Sequence, residues 1–312
     1  MDLSIICPAY NEIHFIEALL KRLCAPEGIE KEILLTDGGS TDGTREKVLQ
    51  LCKEYPSLKL VDNPLKTSTH AFNIAYRQAK GKYVAFVGAH AAYNENYFRI
   101  AIDCLDKNEC DVVGGPLNQK GKSDTGKAIA LVMSSKAGVG NTEFRTMKTR
   151  QFVDSVAFAV YRKSIFEKAG LMDESLPVNQ DDELHYRLNG MGYRILMVPE
   201  MQATYYVRGS YRKLARQYFR YGFYKPAVIR KIKGAVRLRH LVPSLLVLYF
   251  VSLPLTLLTA YYFIPLLLYL MMILITTLNF DASAGIKLKA IPVFPVLHVA
   301  YGSGFIAGFF KR

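Results

Sequence analysis

Five stretches of this sequence concentrate the residue types that chemistry needs. Pro8-Ala9-Tyr10-Asn11-Glu12 sets an aromatic ring close to a carboxylate, and Asp37 precedes two glycines. Gly88-Ala89-His90 places an imidazole beside small residues, and Asp181-Asp182-Glu183 puts three carboxylates in a row. Between Met201 and His240 stand eleven basic residues and no acidic one. Each stretch has a chemical reading and a plainer one. A carboxylate can take the proton of an attacking hydroxyl, whereas acids at a helix start can simply oppose its dipole. Asp37 can accept a ligand N–H, or it can form the turn before Gly38. His90 can hold Mn²⁺, since imidazole suits that ion and Mg²⁺ prefers oxygen, or it can serve only as a hydrogen-bonding loop residue.

The elements that must position these residues are legible. Leu3 to Ile6 is an apolar run that Pro8 is expected to stop, and Glu32 to Thr36, Leu58 to Asp62 and Tyr83 to Val87 read as further strands. Apolar residues at helical spacing mark helices over Glu12 to Leu23, Gly43 to Tyr55 and Thr69 to Ala79. Ser40 or Thr41 is positioned to cap the second, and Asp42 reads as a cap, outside any site. Beyond Gly114 the pattern loosens, with a strand at Val153 to Tyr161, a short helix at Lys163 to Ala169 and another helix at Asp181 to Met191. Strands alternating with helices predict an α/β fold with a doubly wound, mainly parallel sheet. Ligands bind beyond the carboxyl ends of such strands, where the loops at Pro8, Asp37 and Gly88 lie.

The chain of 312 residues is half hydrophobic, but unevenly so. From Leu241 to Leu278 no residue is charged, which leaves room for two spans of roughly 20 residues. This run is expected to form a helical hairpin turning near Tyr261 to Pro265. A third apolar run, Ala290 to Phe310, is interrupted by Pro292, Pro295, Gly302, Gly304 and Gly308, and reads as re-entrant rather than crossing. The expected division is therefore 1–200 catalytic, 201–240 a basic interfacial segment and 241–312 membrane region. The net charge of +13 lies largely in that basic segment. Basic residues abutting an apolar run bind anionic headgroups and stay in the cytoplasm, and no nucleic-acid motif accompanies them. Five cysteines without a Cys-x-x-Cys pair imply neither a disulfide framework nor a zinc site. The start of the chain lacks the basic and apolar regions of a signal peptide.

Four motifs in register resemble family 2 glycosyltransferases: Pro8 to Glu12, Asp37 to Thr44, Gly81 to Phe86, and Asp181-Asp182-Glu183-Leu184 with Arg187. Gly138 to Asn141, Asn179 to Glu183 and Gln217 to Gly222 are similar to the succinoglycan-type glucosyltransferases. The resemblance covers about Leu3 to Pro199. It implies an A-type glycosyltransferase fold, a nucleotide-sugar donor, mostly a uridine-diphosphate sugar, and inversion at the anomeric carbon. Tyr10 is implied to stack on the base and Asp37 to accept its N–H, with Pro8, Glu12, Lys66, Asn73, Gly88 and Ala89 completing the donor site. The family usually carries Asp-x-Asp after its fourth strand, with a carboxylate holding a divalent ion, Mn²⁺ or Mg²⁺. Here Gly88 replaces the first aspartate, and His90 stands at the metal position. The family pattern sets the catalytic base at Asp181, with Gln180 in place of the usual glutamate and Asp182 as the alternative. Gln217, Arg220 and Tyr221 resemble a Gln-x-x-Arg-Trp segment of processive synthases. Arg220 there would meet donor or lipid diphosphate, or else the helix lies at the interface with arginines on headgroups.

The reading is an integral protein of the cytoplasmic membrane that extends a lipid-linked saccharide on the cytoplasmic side in polysaccharide biosynthesis. A processive polysaccharide synthase and an inactive nucleotide-sugar-binding scaffold are the alternatives. An imidazole in place of the carboxylate predicts activity that excess chelator abolishes and that Mn²⁺ restores better than Mg²⁺, by a wider margin than in an Asp-x-Asp relative. Full activity in chelator would refute it.

Overall fold

The computed structural model describes all residues except 141, 143, 144, 146–148, 233, 258 and 312, and the side chains of 256 and 257. Asn141 and Lys233, noted in the sequence, thus lie outside the described residues. The chain divides into two compact units, Met1–Asn118 with Met147–Tyr205, and Gln119–Thr146 with Tyr206–Arg312. The boundary read at 200 falls near the second crossing, but nothing in the sequence marked the excursion at 119–146.

The first unit is built on strands β1 (Leu3–Ala9), β2 (Lys31–Asp37), β3 (Leu58–Asp62), β4 (Tyr83–Phe86), β5 (Ala91–Tyr93) and β6 (Val112–Gly115). After β7 (Leu117–Lys120) come β8 (Gln151–Phe152), β9 (Ala157–Arg162), β10 (Ile195–Met197) and β11 (Ala203–Tyr206). Eight of them form one sheet in the order β3-β2-β1-β4-β9-β6-β10-β8. The first four run parallel, as do β6 and β10, while β9 runs antiparallel between β4 and β6. β1 and the Ile33–Leu35 stretch of β2 read as apolar runs because both strands are buried along their length. The helices Ile13–Cys24, Thr44–Glu54 and Ser68–Tyr76 connect β1 to β4. Strand order reverses at β1, with β2 and β3 on one side and β4 on the other, and ligands bind at such a switch point.

Two local expectations are corrected. Pro8 does not stop β1, which runs on to Ala9 in register with Asp37. Ile6 faces β4, since its carbonyl accepts from the Val87 amide. Alternation makes Pro8 face the same side, and pairing with β4 ends at Ile6 and Phe86, so the missing N–H costs no ladder bond. Nor does Ser40 or Thr41 cap the second helix. Its cap position is Gly43 at φ +93°, and Asp42 Oδ1 accepts the Thr44 amide at 3.1 Å.

The second unit is helical. Tyr211–Lys231 is one amphipathic helix, followed by Leu238–Val251, Ile264–Leu278, Ala284–Ala290 and Val293–Phe310. The link between the two apolar arms starts earlier than Tyr261: the first arm ends at Val251, and short 3₁₀ turns over 253–257 and 260–263 precede the second. The third apolar run is helical from Val293 to Phe310, without a break at its glycines. Pro292 and Pro295 sit at its start, where no helical N–H is missed, and its glycines are contact points. A Cβ on Gly302 would overlap the carbonyl of Pro243, one on Gly304 that of Phe219, and one on Gly308 that of Phe223. Small residues thus let helix backbones meet, the usual device of helices packed without water between them. Among the described residues, Ala260–Leu278 and Ala284–Phe310 are long and apolar enough to cross a membrane.

Lys225 and Arg230, among the basic residues, serve this unit internally. Lys225 is buried, and Arg230 donates to the carbonyls of Lys311, at 2.7 Å, and Phe309 at the end of the last helix.

Gly304→Ala is expected to cost about 1–3 kcal/mol, as overpacking does, lowering the thermal midpoint of the detergent-purified protein. Gly285→Ala, with nothing within 4 Å of its added Cβ, is the control and leaves the midpoint at or above wild type. Equal midpoints for both variants would refute the close-packing account.

Candidate active site

The loops after β1, β2 and β4 leave the same edge of the sheet, because these strands are parallel. The first two loops are bound to one another. Gly38 N donates to Ala9 O at 2.9 Å, Asn11 N to Ser40 Oγ at 2.9 Å and Thr41 N to Asn11 Oδ1 at 2.8 Å. Glu12 N donates to Thr44 Oγ1 at 2.9 Å, and Ile13 N to Asp42 Oδ2 at 3.2 Å. Asp42 therefore accepts amides from two helix starts, the structural part read for it.

Asp37 is buried at the end of β2. Its carboxylate accepts the Ser40 amide at 3.2 Å and faces Arg45 at 3.3 Å, which also pairs with Asp62 at 2.7 Å. Arg45 was not foreseen. Tyr10 is half exposed, with Lys66 Nζ 5.8 Å from its ring centroid. Its ring is open on the surface where a flat base can stack. Pro8 lies in β1 between these loops and the core.

At the end of β4, the Gly88 amide donates to the Tyr93 hydroxyl at 2.8 Å, and Ala89 is buried. A Cβ on Gly88 would come 2.8 Å from the Phe158 ring. Phe158 adopts φ +50°, which is strained for a bulky residue, and Tyr97 Oη donates to its carbonyl at 2.9 Å. The ring thus fills the space that the first aspartate of Asp-x-Asp would need. His90 Nδ1 lies 3.1 Å from Glu12 Oε1, and its ring is 5.1 Å from that of Tyr205. Among the described residues no cluster of three or more His, Cys, Asp or Glu forms a metal cage.

Asn73 is buried on the helix Ser68–Tyr76. Its Nδ2 donates to Met172 O and Glu174 Oε1, each at 2.9 Å, and its Oδ1 accepts the Met172 amide at 3.1 Å. The buried amide thereby holds the 172–174 loop.

The acidic run starts the helix Gln180–Gly190. Because β9 is antiparallel to β4, its entrance lies beside the exit of β4, and Ser155 just precedes it. Ser155 Oγ donates to Asp182 Oδ1 at 3.4 Å and meets His185 Nδ1 at 2.9 Å, while His185 Nε2 meets Tyr161 Oη at 2.9 Å. This buried chain ties the acidic helix start to the edge that holds Asp37 and His90. Asp181 Oδ1 accepts the Asp182 amide at 3.0 Å. Glu183 pairs with Arg187 at 2.8 Å, and Arg187 also donates to Leu171 O at 2.9 Å.

Sequence reasoning missed Ser155, His185, Phe158 and Tyr205. His185 had a signal, since it follows Asp182 at the i+3 spacing of one helix face; the others are distant in sequence and had none. In the second unit, Gln217 Nε2 donates to Tyr221 Oη at 2.8 Å along one helix, and Arg220 is exposed.

Comparison with known proteins adds four findings. Residues 4–170 match the sequence profile of glycosyl transferase family 2. The chain is 33% identical over 242 residues to the succinoglycan biosynthesis protein ExoA of Rhizobium meliloti, covering 77% of this chain and 73% of that one. It is 29% identical over 238 residues to the dolichyl N-acetyl-alpha-D-glucosaminyl phosphate diacetamido-dideoxy-glucuronosyltransferase of Methanococcus voltae, covering 73% and 74%. Among solved structures, the mannosyltransferase of Pyrobaculum calidifontis in complex with GDP-Man and Mn²⁺ shares the fold, with a TM-score of 0.63 at 19% identity over 99% of this chain and 87% of that one.

Burial lowers the pKa of His185 from 6.5 to about 4, although Asp182 pulls it upward. Between those values the unfolded chain binds a proton that the folded chain refuses, so stability falls as pH drops through the window. His185 accounts for up to about 3 kcal/mol of that loss. His185→Gln, whose amide can still bond Ser155 and Tyr161, is expected to be less stable at pH 7 but to lose less between pH 7 and pH 4.5. Unfolding midpoints at the two pH values check this, and equal losses would show that His185 is not the titrating group.

Proposed function

The chain belongs to glycosyl transferase family 2, and from that premise we propose that it moves a sugar with inversion from a uridine-diphosphate sugar to a lipid-linked saccharide at a membrane face. It is a glycosyltransferase of polysaccharide or glycan biosynthesis that uses a nucleotide-sugar donor. The observation that carries the finer reading is the gathering of Tyr10, Asp37, His90 and the acidic helix start along one sheet edge at its switch point.

Tyr10 stacks on the donor base, and Asp37, held in place by Arg45 and the Ser40 amide, accepts its ring N–H. Pro8, Glu12, Lys66, Gly88 and Ala89 line the donor cleft. The acceptor hydroxyl attacks the anomeric carbon on the face opposite the diphosphate; the new C–O bond forms as the bond to diphosphate breaks, and the proton passes to Asp181. Asp182 is the alternative base; it and Glu183 also bond Ser155 and Arg187. A divalent ion, when bound, neutralises charge on the departing diphosphate. His90 is the residue of this chain that would hold such an ion.

The second unit supports membrane attachment. Its helix Ile264–Leu278 leaves Leu267 62% and Leu268 54% exposed, and only Ile273 and Thr277 on it are buried. Soluble proteins avoid apolar faces of that extent. Basic residues on 208–239, next to the apolar helices, bind anionic lipid and keep that flank in the cytoplasm, where nucleotide sugars are available. Arg220, exposed on this stretch, meets either a lipid diphosphate or a headgroup. The dolichyl-phosphate acceptor in the name of the Methanococcus voltae relative supports a lipid-linked substrate.

Asp181→Asn is expected to lower turnover by about 10²–10⁴-fold, with UDP-sugar affinity by calorimetry changed only a few fold. Near-normal turnover in that variant, with Asp182→Asn inactive, would move the base one residue along.

A further inference from the structure

We propose that Glu12 is a positioning residue that holds His90 in the tautomer whose Nε2 lone pair faces the metal of the donor complex. This inference rests on the proposed part of His90 as the metal ligand. Glu12 Oε1 stands 3.1 Å from His90 Nδ1, with the two side chains only 19% and 24% exposed. An ionised carboxylate is an acceptor only, so Nδ1 carries the proton of this bond. The neutral imidazole then has its lone pair on Nε2, the atom that a metal takes. Metal-ligating histidines commonly bond a carboxylate through the other ring nitrogen, which fixes the ring and raises its basicity.

The surroundings restrain the ring. Tyr205 packs against it at 5.1 Å, and the Glu12 backbone is locked by the bond from its amide to Thr44 Oγ1 at 2.9 Å. Glu12 therefore sits on a braced helix start and presents its carboxylate to a histidine on the next loop but two. An aspartate at position 90 would need no such help, because either oxygen of a carboxylate can bind the ion. Replacing the carboxylate by an imidazole creates a need for tautomer control, and Glu12 meets it.

The test uses the full chain in detergent with Mn²⁺ and UDP, and with GDP as a second nucleotide. Electron spin-echo spectra read nitrogen coupling from an imidazole on the ion, and the free-Mn²⁺ signal reads affinity. Wild type is expected to show one ¹⁴N coupling. Glu12→Ala lowers Mn²⁺ affinity about 10–100-fold, and Glu12→Gln, whose carbonyl can accept from Nδ1, lowers it less. His90→Asp binds Mn²⁺ without the coupling, and adding Glu12→Ala to it changes affinity no further. A wild-type complex with either nucleotide that lacks the coupling would overturn the metal reading itself. Coupling in wild type together with unchanged affinity in Glu12→Ala, or an equal loss in the His90→Asp background, would overturn the part given to Glu12 and leave His90 as ligand.

Discussion

The amides at the starts of two neighbouring helices have no partners within their own helices, and each loop supplies them to the other. Asp42 accepts from Ile13 and Thr44, Thr44 Oγ1 accepts from Glu12, Ser40 accepts from Asn11, and Asn11 accepts from Thr41. Such groups left unpaired would each cost a full desolvation penalty. Their exchange welds the β1 and β2 exits into one surface. Tyr10, Glu12 and Asp37 all belong to it, so this half of the candidate site inherits its rigidity from helix capping.

The other half is attached by a different means. The acidic helix start would be free to drift along the edge if only its own dipole held it. Instead a buried neutral histidine joins Tyr161 in the sheet to Ser155 and, through it, to Asp182. A hydrophobic contact at that place would leave orientation loose, whereas three directional bonds define it. Arg187 adds a second tether by joining Glu183 to the 169–171 loop. Gly88 and Phe158 show the same economy of space: the ring occupies what a carboxylate side chain would fill.

In the second unit the ordering principle is proximity of backbones. Gly222, Gly302, Gly304 and Gly308 bring three helices close enough that no side chain could intervene. The same glycines would weaken a lone helix in water. Their cost is offset by close packing, which explains why a segment rich in breakers is a continuous helix.

Much of this was legible in the residues themselves. The parallel strands, their order along the chain and the loops at Pro8, Asp37 and Gly88 follow from apolar periodicity, because strands buried on both faces leave unmistakable runs. Asp42 was readable as a cap from its place before a helix, and the apolar runs of the tail from the absence of charge. Only the tertiary structure decided that Pro8 continues a strand, since that depends on which neighbour its missing N–H faces. It alone joined Ser155 to Asp182, committed Asn73 to the 172–174 loop, paired Glu12 with His90 and made the tail glycines into contacts. Periodicity reports which face of an element is buried; it cannot report which distant side chain arrives there, because that is set by how strands far apart in sequence are ordered in the sheet.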